Sequence, residues 1–139
     1  MQSFAILYPA FAMALLTMGV AIWLLMVRIK AYKANELKPA YFKLNQGEVP
    51  VYAKQAEQHY ENLFEMPVLF YVVLILAFVT QTASIGLVFL AWAYVAARAA
   101  HTYVHLGSNK LLKRRNVFLV SFVILLVMWL WVLFALWLH

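Results

Sequence analysis

The stretch KQAEQHYENLFEMPVLF, residues 54–70, decides how the rest of the chain is read. Here polar sequence gives way to a run without charge that lasts 31 residues, from Pro67 to Ala97. As a helix, the stretch places Gln55, Gln58, Asn62 and Glu65 on one stripe at i, i+3, i+7 and i+10. Glu57, Glu61 and Glu65 fall on a neighbouring stripe at i, i+4 and i+8. Pro67 has no N–H and crowds the carbonyl of Leu63, so a bend or a freed carbonyl is expected there. An amide and a carboxylate drawn toward hydrocarbon are costly, which makes Asn62 and Glu65 functional candidates.

Composition agrees with a membrane setting. Of the 139 residues 67% are hydrophobic and only 12% charged, with a mean hydropathy of +0.83. A soluble domain carries about a quarter charged residues. No cysteine is present, which excludes a disulfide framework, a thiolate metal site and a protein thiol nucleophile. The net charge of +6 points to membrane topology and anionic headgroups rather than to nucleic acid.

Outward from the opening stretch, the uncharged runs define spans. Phe4 to Val27 is 24 residues, about 36 Å as a helix, which crosses a bilayer core of about 30 Å. It reads as a retained span rather than a leader, since no basic residue precedes it and no small-residue cleavage site is evident; basic residues follow it instead, at Arg28, Lys30 and Lys33. The run from Pro67 to Ala97 is too long for one crossing, at about 47 Å, so Thr80-Gln81-Thr82-Ala83-Ser84 is read as a tight turn inside it. Val117 to Leu138 supplies a fourth uncharged run of 22 residues. The sequence therefore predicts an all-α integral membrane protein, a four-transmembrane-helix bundle in one domain over 1–139. Its helices are expected at about 4–30, 51–79, 84–106 and 112–138, with a polar surface loop over 31–50. All charged residues lie in two blocks, Arg28 to Glu65 and Arg98 to Arg115, which four spans bring to one side. The positive-inside rule makes that side cytoplasmic and both termini non-cytoplasmic. The expected location is the bacterial inner membrane, as a multi-pass protein.

Three constellations carry possible chemistry. Asn62 and Glu65, with Gln58 and Gln55 before them, are either the polar wall of a site or glue between helices, each such contact contributing about 1 kcal/mol or less. Arg98, His101 and His105 share a face at i, i+3 and i+7. Arg98 lies about 12 Å inside the helix end, too deep for a lipid-facing arginine, so it should meet Glu65, another acid or a bound anion. With Lys110 and Arg114 this set suits a carboxylate, thiolate or phosphate. Lys113 and Arg115 read instead as surface charges for headgroups, and Tyr103 lies close enough to the histidine face to donate a hydrogen bond. A metal held by His101, His105, Glu61 and Glu65 is the third possibility. It is not favoured, because no Glu-x-x-His repeat occurs on two helices and His59 falls on a different face from Glu65.

At these residues the chain resembles a known family. Asn62-Leu63-Phe64-Glu65 entering the second span, followed by Pro67, and RAAHTYVHLG over 98–107 are similar to motifs of the MAPEG family, the membrane-associated proteins of eicosanoid and glutathione metabolism. The third span is similar to the equivalent segment of microsomal prostaglandin E synthase, and NLFEMPVLFY and AWAYVAARAAHTYVHLGSNK resemble the prokaryotic branch. The resemblance implies a homotrimer with glutathione as co-substrate, held between subunits near the cytoplasmic face, and a hydrophobic electrophile entering from the lipid. It assigns Asn62, Glu65 and Arg98 to the glutathione site, and Arg114 to stabilising the thiolate. Gln58, His101, His105 and Lys110 stand at or beside family binding positions, His105 where the family has tyrosine. Gln58 and Gln55 stand where glutathione-using members carry arginines. The expected function is a glutathione transferase-like or peroxidase-like activity. The alternative is a non-catalytic protein of the same fold that binds lipid or another anion in the same crevice.

Overall fold

The computed structural model describes residues 4–138, and among them the regular elements are helical. A 3-10 turn at Phe4–Leu7 leads into α1 (Tyr8–Lys33); then follow α2 (Tyr41–Leu44), α3 (Val51–Asn62), α4 (Met66–Val79), α5 (Ile85–Leu106) and α6 (Leu111–Trp137). Four stretches are long and apolar enough to cross a bilayer: Phe4–Lys33, Val51–Val79, Ile85–Leu106 and Leu111–Trp137. The protein is a multi-pass, four-helix membrane protein.

α1, α4 and α6 are apolar nearly all round, as helices in lipid must be. One stripe still packs inward. On α6 this is Ser121, Leu125, Met128 and Val132, and on α1 it includes Met13, Val20, Leu24 and Val27. The buried stripe of α5 runs Leu87, Ala91, Tyr94, Arg98, His101, His105, so one face changes from hydrocarbon to cation and imidazole along its length. The apolar half of that stripe is locked by a stacked pair, Phe70 and Tyr94, with centroids 4.3 Å apart. Gly86 lets α5 and α6 approach closely: a Cβ there would sit 2.9 Å from Cη2 of Trp131.

The second span is not one continuous helix from 51 to 79. It is broken at Leu63–Glu65, where Glu65 takes φ −94° and ψ −101°. Pro67 explains the position, because it offers no N–H to the Leu63 carbonyl. The chain turns instead through short bonds, Phe64 N–H to Glu61 O (3.0 Å) and Glu65 N–H to Asn62 O (3.3 Å). Glu65 is thereby left at the cap position of α4, beside the positive end of that helix.

The loop between the first two spans is tied down. Glu57, on α3, is buried and accepts hydrogen bonds from Arg28 Nη2 (2.7 Å) and the Tyr41 hydroxyl (2.5 Å). Burial, then the bond and charge of Glu57, push the Tyr41 hydroxyl up to about 12. α2 ends at Asn45, which takes a left-handed φ of 52°. At the far end, Thr80–Ser84 forms the turn: Gln81 has φ 59°, and Ser84 caps α5 by accepting from Leu87 N–H at 3.3 Å. The α5–α6 connection is short, with Asn109 at φ 49° and its N–H bonded to Val104 O at 2.8 Å.

Candidate functional site

The break in the second span and the cationic end of α5 lie against each other. Arg98, with no exposed surface, donates from Nη2 to Asn62 Oδ1 at 2.6 Å, which joins α5 to the last residue of α3. The sequence reading allowed Glu65 as the acid for Arg98. The structure differs: among the described residues the ion pairs are Arg28–Glu57 and Lys54–Glu57, and Glu65 is an exposed side chain. The reason is the break, since a chain that leaves the helical path at Glu65 no longer carries it on the stripe of Asn62.

Beside this junction is an open cavity of about 530 Å³. It is bordered by Gln58, Glu61, Asn62 and Glu65 from the second span, His101 and His105 from α5, and Leu111, Arg114, Arg115 and Phe118 from α6. Six of the eight residues proposed from sequence therefore meet at one cavity: Gln58, Asn62, Glu65, His101, His105 and Arg114. Arg98 stands behind its wall, reaching it through Asn62. Lys110 is not among its lining; it caps the start of α6 and is exposed. Arg115, which sequence reasoning left to the headgroups, does border the cavity. Tyr103 is 83% exposed and turned away from the histidines.

Two placements decide what the cavity can hold. Arg114 is oriented by its own turn, donating from Nη1 to Asn109 Oδ1 at 2.9 Å. Gln55 donates to the carbonyls of His105 and, at 3.1 Å, Gly107. Its amide therefore closes the C-terminal end of α5, whose last carbonyls lack helical donors. Arg98 Nε and Nη1, His101 Nδ1 and His105 Nε2 are buried and find no partner among the described residues. Guanidinium N–H groups in that state fit an anionic group such as a carboxylate.

Sequence reasoning missed His59. Its Nδ1 lies 3.0 Å from His105 Nδ1, and its Nε2 lies 2.8 Å from the Thr102 hydroxyl. Ligating atoms of His59, His101 and His105 all fall within 4.8 Å of one another. Glu61 and Glu65, the carboxylates of the metal reading, are not part of that group. A metal on these three rings would have to displace the His59–His105 hydrogen bond and sit near the buried Arg98 cation. A signal for His59 was present in the sequence: it precedes Asn62 by three residues, a neighbouring place on one helix face.

A family model described as the MAPEG family matches residues 6–134. No curated protein and no solved structure matches the chain.

Proposed function

The chain belongs to the MAPEG family, and from that premise we propose that it is a membrane-bound glutathione transferase-like protein acting on a lipophilic electrophile. The observation that carries the reading is the cavity beside Arg98. Cationic, amide, imidazole and carboxylate groups from three helices border one space, backed by a buried guanidinium with Nε and Nη1 free. Arg98 and Asn62 orient the carboxylates of the tripeptide, and Glu65 and Gln58 meet its ammonium and amides. Arg114 favours the thiolate over the thiol by its charge. The electrophile arrives through the lipid-facing side, where α4, α5 and α6 expose apolar side chains such as Val68, Phe89 and Leu119.

The same reading makes the protein a homotrimer in the bacterial inner membrane, with the cavity at the cytoplasmic end and completed by a neighbouring subunit. Half-covered polar residues at membrane depth, Asn62 above all, support a covering partner. A second reading, a non-catalytic protein holding lipid or another anion in the crevice, is favoured by Gln55. Its amide is occupied by the carbonyls of His105 and Gly107, so it does not replace the cationic contact of an arginine.

Conjugation of a model electrophile by purified protein in detergent, with calorimetric titration of glutathione, separates the two. A rate above the uncatalysed control with measurable glutathione binding is expected. A control rate with no binding overturns the enzymatic reading in favour of the second.

A further inference from the structure

The histidine cluster behind the cavity has a proton arrangement that its hydrogen bonds dictate. Thr102 is on α5, and its hydroxyl donates to Arg98 O at 2.9 Å. A hydroxyl has one proton, so toward His59 Nε2, 2.8 Å away, Thr102 can only accept. His59 Nε2 therefore carries a proton, and in the neutral ring Nδ1 is bare. That bare Nδ1 is 3.0 Å from His105 Nδ1, which must then be the donor. In a neutral His105 this leaves Nε2 as a lone pair. Nε2 is buried and without a partner, on a ring that borders the cavity. The backbone at His105 is held too, by the bond that Gln55 makes to its carbonyl.

From this chain of bonds we infer that His105 is the proton acceptor for the thiol bound in the cavity, with His59 and Thr102 as positioning residues. The inference rests on the reading that a thiol tripeptide occupies that space. The thiol S–H bond breaks, its electron pair stays on sulfur, and the proton forms a bond to His105 Nε2. The proton on His105 Nδ1 can then pass to His59 Nδ1, so the positive charge is shared by two rings. The thiolate remains beside Arg114, which borders the same cavity. No oxidant or further reactant is needed. His101 also borders the cavity, with Nδ1 unpartnered, but no hydrogen bond sets its tautomer. The arrangement follows the logic of a nucleophile, a base and a group that orients the base.

The test uses full-length protein in detergent, glutathione as ligand and three readouts: calorimetric affinity, ultraviolet absorbance of bound thiolate, and steady-state conjugation of a model electrophile. His105→Gln is expected to bind glutathione within about threefold of the parent while losing thiolate absorbance and about 10²-fold or more in kcat. Thr102→Val keeps both rings and removes the acceptor that fixes the tautomer; kcat is expected to fall about tenfold with KM unchanged. Free imidazole should restore part of the rate to His105→Gly. If His105→Gln does not fold, Thr102→Val decides. Undiminished thiolate absorbance and kcat in either folded variant, with glutathione bound, overturns the inference and leaves the transferase reading in place. Absence of glutathione binding by the parent overturns both.

Discussion

Arg98 and Asn62 stand 2.6 Å apart, guanidinium Nη2 to amide Oδ1, and that bond joins the third span to the end of α3 just before the break. It gives a fully buried cation a neutral partner. The amide can orient the guanidinium without cancelling its charge. A carboxylate in the same place would have satisfied Arg98 permanently.

Asn62→Ala should therefore cost stability of about 1.5–3 kcal/mol, the range for a bond to a charged group. Thermal unfolding in detergent reads it. Asn62→Asp should retain or raise the melting temperature but weaken glutathione binding, because the new acid competes with the ligand for Arg98. An Asn62→Asp protein that is stable and binds as the parent does would show that Arg98 does not meet the ligand.

Arg114→Ala should lower glutathione affinity by about tenfold or more, the loss of one charge-assisted contact, with the fold intact. Calorimetry compared with the parent measures this. Unchanged affinity removes Arg114 from the site.

Tyr41→Phe removes a 2.5 Å bond to the buried Glu57 and should release the loop over 34–50 without unfolding the spans. Faster tryptic cleavage after Lys43 is the readout. Alkali should act in the same direction. The Tyr41 hydroxyl titrates near 12 in the folded protein against 10.0 in a free side chain. Its contribution is therefore complete below about pH 10 and is lost as pH rises through 12. The difference in tyrosinate absorbance between parent and Tyr41→Phe should appear in that window; a Tyr41 that titrates with the exposed tyrosines would refute the anchoring.

Gly86→Leu forces a side chain into the ring of Trp131 and should destabilise by about 1–3 kcal/mol, the usual range for overpacking. Trp131→Ala in the same chain should restore part of that loss. Additive losses in the double variant would mean that the two residues do not touch.

The four spans were legible because uncharged runs and bilayer thickness leave few alternatives, and the turn at Thr80–Ser84 follows from length alone. Asn62, Arg98, His101 and His105 were legible because polar groups at membrane depth need partners. His59 was not. A face drawn on one uninterrupted helix separates it from Glu65, yet its partners are on another helix, which single-helix periodicity cannot represent. Pro67 marked the break in advance, but not that Glu65 would leave the stripe and yield Arg98 to Asn62. Arg115 and not Lys110 borders the cavity, because the start of α6 fixes which basic residues of the cluster turn toward it.

The interruption at Leu63–Glu65 also isolates two halves of the span from each other's errors. Along an unbroken helix, one residue gained or lost rotates everything beyond it by about 100°. Here such a change inside α3 would be absorbed at the joint, and Phe70, Val73, Leu74 and Ala77 would keep facing inward. The angular setting of α4 is thus uncoupled from that of α3, whose own register is fixed by the bonds of Gln55, His59 and Asn62 to α5.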